Sequence, residues 1–251
     1  MKFLKYDINH DLDSPERTIH HKQIIQKKLF LRKLYQEWYK VFTDLKPVLP
    51  EGKLVELGSG GGFLKEIDPS VICTDIIELP SNDMTFSAFN MPFKENEISA
   101  IFMIDTFHHI PDSNLFLKEA TRVLKKDGLL VMIEPANTVW GKFIYKNFHH
   151  EPFDTKAGWT IPVSGPLSGA NGALPWIVFE RDYNLFKSNF PTLKLLDLHY
   201  HTPLRYLLSG GVSFKQLVPG FTYAFFSFAD KSLSAISRQL SMFVTITIKK
   251  I

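Results

Sequence analysis

The chain has 251 residues, 45% of them hydrophobic and 22% charged. This is an ordinary globular balance that argues against disorder and allows one large domain, or one domain with a sizeable insertion. Its single cysteine, Cys73, excludes a disulfide framework and any multi-cysteine zinc or iron–sulfur site within one chain. Net charge is only +3, yet residues 17–46 hold eight Lys/Arg against Glu37 and Asp44, and residues 183–251 hold eight against Asp197 and Asp230. Basic flanks of this kind suit an anionic substrate, nucleic acid or a membrane surface, or are simply solvated faces. No apolar run approaches the ~18 residues of a membrane-spanning helix. The start, MKFLKYDINHDLD, turns acidic too early for a signal peptide, so a cytoplasmic setting is expected.

In chain order, Ile24, Leu31, Leu34, Tyr35, Trp38, Val41 and Phe42 recur at helical spacing, predicting one helix over 17–46 that Pro47 and Pro50 end. Residues 54–57 form a short apolar strand, 58–62 (GSGGG) a turn, and 63–67 a short helix stopped before Pro69. A second strand is expected over 71–74, closed by Asp75, and a third over 84–89. Residues 100–104 (AIFMI) read as a fully covered strand of a parallel sheet. Residues 113–124 predict a helix with Leu115, Phe116, Ala120 and Val123 inward, and 129–133 (LLVMI) a fifth strand after the Asp127-Gly128 turn. Alternation of strand and helix from 54 to 133 is the mark of an open α/β sheet.

The regularity breaks at Glu134-Pro135. Residues 136–179 lack clean periodicity and are too long for a plain connection, so they read as a functional insertion or lid. A helix is expected near 180–190, a strand over 193–199, an irregular aromatic stretch over 202–229, a helix over 231–241 and a closing strand over 243–249 (FVTITIK).

Most information sits in Val55-Glu-Leu-Gly-Ser-Gly-Gly-Gly62, directly after a strand. Glycines there permit positive φ and close approach of a ligand to the backbone, and a helix N-terminus favours an anionic group. Asp75 ends the next strand, where a carboxylate can accept both hydroxyls of an adenosine ribose. A dinucleotide fold wants a third glycine where Phe63 stands and has no need of an acid two residues before the first glycine. Glu56 instead suits a cationic or multi-donor ligand.

Residues 54–134 resemble the core of class I S-adenosylmethionine-dependent methyltransferases of the type 11 group. Glu56, Gly58, Gly60 and Gly62 match the first motif and Asp75 the ribose-binding acid. Residues 87–93 (SAFNMPF) resemble the adenine-framing segment, 104–110 (IDTFHHI) the segment after strand four, and 122–129 (RVLKKDGL) the R-V-L-K-P-G-G turn. Ser87 replaces the usual adenine-binding acid and Asp127 the usual proline. The resemblance implies a Rossmann-like, seven-stranded, mostly parallel α/β sheet with an antiparallel last strand and helices on both faces. Residues 1–50 would be an N-terminal helical cap, and residues 51–251 the methyltransferase domain carrying the 136–179 insertion after strand five.

It also implies S-adenosyl-L-methionine as cofactor, bound by Glu56, Gly58, Ser59, Gly60, Asp75, Ile76, Ser87, Ala88, Phe89, Ile104 and Asp105, with in-line displacement at the sulfonium methyl. Asp105 either faces the methionine amino group or caps the helix that follows. An oxygen or amine acceptor needs a base. His109, next to His108 after strand four, and His149 and His150 in the insertion are the candidates. The alternatives are a structural His109 and an exposed loop pair at 149–150. His149, His150, Glu151 and Asp154 fit no tight ligand template, so no metal site is expected. Cys73 reads as a buried small apolar residue. Absence of a Pro-Cys nucleophile and of a [DNS]-P-P-[YF] segment disfavours nucleic-acid acceptors of those two kinds.

The acceptor is expected to meet the N-terminal helix, the insertion and residues 202–229. Trp140, Tyr145, Trp159 and Trp176 of the insertion either face it or build the lid's own core. Arg205 and Lys215 are suited to phosphate. The reading is a methyltransferase acting on a small-molecule, glycan or lipid-linked acceptor, with peripheral membrane contact left open. The alternatives are an RNA or protein methyltransferase, or a non-catalytic S-adenosylmethionine-binding protein of the same fold.

Overall fold

Strands that are apolar along their whole length must be covered on both faces, and every residue of the central strand is indeed buried. In the computed structural model, which describes residues 6, 10–149, 151–162 and 164–251, one sheet contains seven strands. These are β1 (Lys53–Leu57), β2 (Val71–Asp75), β3 (Met84–Thr85), β4 (Ile98–Ile104), β5 (Leu124–Pro135), β6 (Leu193–His201) and β7 (Phe243–Lys250). Their order is β3-β2-β1-β4-β5-β7-β6. Strands β1 to β5 pair in parallel, and β7 runs antiparallel to both β5 and β6. The expected Rossmann-like sheet with its antiparallel final strand is therefore present. The order reverses between β1 and β4, and the crevice beyond the strand tips at such a reversal is where open α/β sheets bind ligands.

Nine helices surround the sheet among the described residues: α1 (Pro15–Lys27), α2 (Leu29–Asp44), α3 (Leu64–Ile67), α4 (Ser113–Val123), α5 (Val139–Phe148), α6 (Leu174–Trp176), α7 (Tyr183–Asn189), α8 (Arg205–Ser209) and α9 (Tyr223–Ile236). Among these residues, no helix is long and apolar enough to cross a membrane. Helix α2 buries Phe30, Leu31, Leu34, Trp38, Tyr39 and Phe42. Phe42 stacks on Phe102 of β4 with ring centroids 4.7 Å apart. The N-terminal helices thus share the core of the sheet.

Several elements differ from the sequence expectation. The single helix over 17–46 is two helices, broken at Lys28, whose backbone is extended (φ −89°, ψ 97°). The break turns the Lys28 ammonium inward to donate to the Gly211 and Phe214 carbonyls, a tertiary tie that helical periodicity does not register. The third strand is only Met84–Thr85, because Ser87–Asn90 closes a turn through Asn90 N–H to the Ser87 carbonyl. On α4 Leu117 points inward and Leu115 is half exposed. The insertion is not wholly aperiodic, since it contains α5 and α6, and a π-helical turn, Ile177–Arg181, follows α6. The stretch 202–229 is not wholly irregular either. It holds α8 and the start of α9, which ends at Ile236 and absorbs much of the helix expected over 231–241.

Candidate functional site

The loop after β1 is fixed by backbone geometry. Gly58 has φ +67°, and a Cβ there would meet Thr106 Cγ2 at 2.4 Å, so neither the conformation nor the space admits a side chain. Gly60 (φ +44°) donates its N–H to Asp75 Oδ2 at 2.9 Å. The Ser59 hydroxyl is engaged inside the structure, accepting from Thr74 N–H at 3.1 Å, so Ser59 ties the loop to β2. Asp75 accepts a second backbone N–H, from Ile77, at Oδ1 (2.9 Å). With Ile76 N–H also directed at it, the carboxylate still keeps acceptor capacity, since its two oxygens offer about four lone pairs.

Three carboxyls cluster around the tips of β1, β4 and β5. Glu56 is buried beside Cys73, its register partner on β2, whose Sγ lies 3.4 Å from Oε2. Burial pushes the Glu56 carboxyl up to about 7 and the Cys73 thiol up to about 12, which leaves the thiol protonated and fits the small-apolar reading. Asp105 sits at φ +50° just past β4. Burial, reinforced by the charges of Glu134 and Glu151 and opposed by His108, pushes it up to about 8. The helix-cap alternative for Asp105 fails, because Asp112 caps α4 by accepting from Asn114 and Leu115 N–H.

Glu134, the third carboxyl, is fully buried at the end of β5. It accepts the backbone N–H groups of Thr106 (2.9 Å) and Phe107 (2.6 Å) and lies 2.7 Å from His108 Nδ1. Burial opposes a charge on His108, but the Glu134 carboxylate and then Glu151 hold the imidazole well above its ordinary range. His108 Nε2 lies 3.2 Å from Glu151 Oε2. His109 donates from Nδ1 to the Gly169 carbonyl at 2.9 Å, while its Nε2 is 3.7 Å from Glu151 Oε1. Burial and the neighbouring His108 charge push His109 down to about 4. His149 Nδ1 lies 3.6 Å from Glu151 Oε2. The expectation for His150 falls outside the described residues.

Glu56, Asp75, Asp105, His108, His109, His149 and Glu151 face one cavity of about 850 Å³, with Cys73 and Glu134 outside its lining. Its lining includes every described residue expected to bind the cofactor or to act as a base: Glu56, Gly58, Ser59, Gly60, Asp75, Ile76, Ser87, Ala88, Phe89, Ile104, Asp105, His109 and His149. Glu151 and His108 line it too. Glu134 and Glu151 were not singled out by sequence as a pair with His108. For Glu134 the available signal is an acid ending β5 beside a His-His pair after the adjacent β4. Glu151 has no signal beyond its place after the His149-His150 pair.

Three further segments wall the cavity. α1 contributes Thr18, whose buried hydroxyl has no hydrogen-bond partner among the described residues, and α2 contributes Tyr35. The insertion contributes Tyr145 and Phe153, stacked at 5.4 Å, and the 206–217 stretch contributes Tyr206 and Phe214. Other aromatics of the insertion take structural places: Trp159 Nε1 donates to Asp182 Oδ2 and Trp140 Nε1 to the Pro203 carbonyl. Arg205 does not await phosphate. Its guanidinium is buried, donating to Asp230 Oδ2 at 2.7 Å and also to Glu37. Lys215 is exposed and outside the lining.

The donor set fits a cationic nucleoside: two buried carboxyls raised by desolvation, an aspartate with spare acceptor capacity, and an orphaned hydroxyl facing a glycine loop with room beside it. Residues 55–132 match the family model described as a methyltransferase domain. No curated protein matches the sequence. Among solved structures, the chain is similar to the geranyl diphosphate C-methyltransferase of Streptomyces coelicolor A3(2) in complex with Mg2+, geranyl diphosphate and S-adenosyl-L-homocysteine. That likeness has a TM-score of 0.53 at 14% identity, over 99% of this chain and 90% of that one. A geranyl diphosphate methyltransferase in complex with SAM gives 0.52 at 15%, over 98% and 93%. The complex between the Haloferax volcanii Trm112 methyltransferase activator and a methyltransferase gives 0.51 at 10%, over 97% and 99%.

Proposed function

Because this chain carries a class I S-adenosylmethionine-dependent methyltransferase domain, we propose that it methylates a small-molecule acceptor with an apolar body. The observation that carries this reading is the cavity running from Asp75 to Glu151, walled by aromatic residues of α2, the insertion and the 206–217 stretch. Its volume lies in the ~300–1,000 Å³ range of small-molecule sites. Residues 1–50 act as a cap and residues 51–251 as the methyltransferase domain, the insertion serving as the acceptor's lid.

Asp75 would accept the ribose hydroxyls, Ile76 would cover the adenine face, and Ser87, Ala88 and Phe89 would frame its edge. Gly58, Ser59 and Gly60 let the ligand lie against the backbone, with Ile104 beneath. Glu56 and Asp105 would face the methionine end, where a positive charge relieves their burial. When bound, S-adenosyl-L-methionine supplies an electrophilic methyl on a positively charged sulfur. The chain's own contribution is to exclude water, to align the acceptor and to take its proton. The low-lying His109 is neutral at physiological pH and presents an unprotonated Nε2 to the cavity. His149 at the rim, with the neighbouring His150, is the second proton acceptor.

A lipid-linked acceptor is the second reading, favoured by one observation. Phe221, in the turn just before α9, and Phe225 and Phe228 along it are 86%, 68% and 73% exposed, and Lys231 on the same helix is exposed too. Such a face suits an anionic membrane surface.

The test is calorimetry with S-adenosyl-L-homocysteine against NAD, followed by methyl-transfer assays on isoprenoid, phenolic and glycan panels and on RNA. Saturable binding of the nucleoside alone, with transfer to a small apolar acceptor, is expected. Binding of NAD instead, or steeply salt-dependent transfer to RNA only, would overturn the reading. Co-sedimentation with anionic but not zwitterionic vesicles is the result expected of the lipid-linked form.

A further inference from the structure

Two histidines after β4 present the same ring edge to one point. The Gly169 carbonyl can only accept, so His109 Nδ1 carries the proton and the neutral ring keeps a lone pair on Nε2. Glu134 Oε2 accepts from His108 Nδ1 at 2.7 Å, which turns the other ring nitrogen of His108, Nε2, toward the same point. The two Nε2 atoms then converge on the two oxygens of Glu151, at 3.2 and 3.7 Å. The three ligand atoms all lie within 4.8 Å of one another. Without a metal, a proton on His108 Nε2 fills the gap to Glu151 while the His109 lone pair faces the other carboxylate oxygen unmatched; one cation in place of that proton would satisfy all three groups. Metal–ligand bonds of about 2.0–2.2 Å in a tetrahedron place neighbouring ligand atoms about 3.3–3.6 Å apart. The His108 Nε2 to Glu151 Oε2 separation of 3.2 Å is near that edge, and the 3.7 Å separation runs from His109 Nε2 to the other carboxylate oxygen.

We propose that His108, His109 and Glu151 bind one divalent transition-metal ion of the Zn2+ class at the acceptor end of the cavity. Glu134 and the Gly169 carbonyl play the part that outer oxygen acceptors play for metal-ligating histidines, orienting each ring and raising its basicity. Two imidazoles and one carboxylate select Zn2+, Co2+ or Mn2+ over Mg2+ and Ca2+, which take oxygen ligands. All three side chains line the cavity, so the open coordination position faces the acceptor. A cation there would hold an anionic oxygen, giving the positive charge that Arg205, locked to Asp230 and Glu37, does not. The acceptor class is thus an apolar body bearing a phenolate, enolate or carboxylate oxygen. With the metal in place His109 is a ligand, and the proton passes to His149. The acceptor class rests on the methyltransferase reading; the metal site itself does not.

The test uses the full chain stripped with a chelator and titrated with Zn2+, Co2+ and Mg2+ in separate arms, by calorimetry and by the visible absorption of Co2+. One saturable site per chain is expected, with Mg2+ weaker than Zn2+ by about 100-fold or more. Glu151→Gln and His109→Asn should each weaken Zn2+ by about 100-fold while leaving S-adenosyl-L-homocysteine affinity within about threefold. That retained affinity shows that the variants fold. No saturable site, equal binding of Mg2+ and Zn2+, or unchanged Zn2+ affinity in both variants would overturn the proposal; the last two leave a proton between His108 and Glu151. Nucleoside binding without Zn2+ binding sinks the metal alone. Zn2+ binding without nucleoside binding sinks the methyltransferase reading and spares the metal.

Discussion

The two ends of the cavity are held together in different ways. At the glycine-loop end the ties are close in sequence: Gly60 to Asp75 spans 15 residues and Thr74 to the Glu56 carbonyl 18. Around the opposite end they span most of the chain. Asp13 accepts from Leu167, 154 residues away, Arg205 meets Glu37 over 168, and Lys28 reaches the Phe214 carbonyl over 186. One end rests on backbone conformation in a single β–turn–β unit, the other on side chains that cross between segments. Damage to the first should appear as lost ligand affinity with the fold intact, and damage to the second as lost stability.

The sharpest way to break that contrast is Arg205→Met. It leaves Asp230, a buried carboxylate, without its cation, an error that costs ~3–5 kcal/mol in comparable sites. Urea unfolding should show that loss, while S-adenosyl-L-homocysteine affinity measured well below the transition stays nearly unchanged. A large affinity loss with unchanged stability would erase the distinction. Gly58→Ala tests the other end. Strain at φ +67° and the clash with Thr106 should cost ~1–3 kcal/mol, read mainly as a nucleoside Kd raised by an order of magnitude or more. Asp75→Ala removes charge-assisted hydrogen bonds and should weaken the same ligand at least tenfold, ~1.4 kcal/mol. An unchanged Kd would remove Asp75 from the site.

The same contrast explains what could be read from the sequence. Glu56, the glycines and Asp75 sit at spacings fixed by one strand and one turn, and their positions in the cavity agree with where those spacings put them. Alternation of strands and helices through residue 133 likewise carried the sheet up to β5, and the patterned run 243–249 carried its last strand. The helix break at Lys28 was not legible, because α1 and α2 together keep an apolar period and only the distant Gly211 and Phe214 carbonyls explain the interruption. Arg205 looked like a phosphate ligand because its neutralising partners, Glu37 and Asp230, are remote in sequence. The Glu134–His108–Glu151 cluster stayed hidden for the same reason: its members come from the ends of two adjacent strands and from an insertion whose docking no local pattern encodes.

The smallest expected effect is also the one that joins the two ends. Burial raises Glu56 to about 7 and Asp105 to about 8, above the ordinary carboxylate values of an unfolded chain. The folded protein therefore binds these protons more tightly than the unfolded one. Their contribution to stability is fully present below the unfolded values and is lost as pH rises through 7 to 8. A cationic ligand reverses this cost, since it favours the ionised carboxylates and releases their protons on binding. The melting temperature of the ligand-free protein should accordingly fall between pH 5.5 and 8. The affinity for S-adenosyl-L-methionine should rise by about tenfold from pH 6 to 8, with proton release visible as a buffer-dependent heat. Asp105→Asn should flatten both slopes. Glu134 and Glu151 add to the rise at Asp105 and His108 opposes it, so Glu151→Gln should move the Asp105 midpoint down. A pH-independent affinity, or a slope that survives Asp105→Asn and Glu56→Gln together, would mean that neither carboxyl faces the ligand's charge.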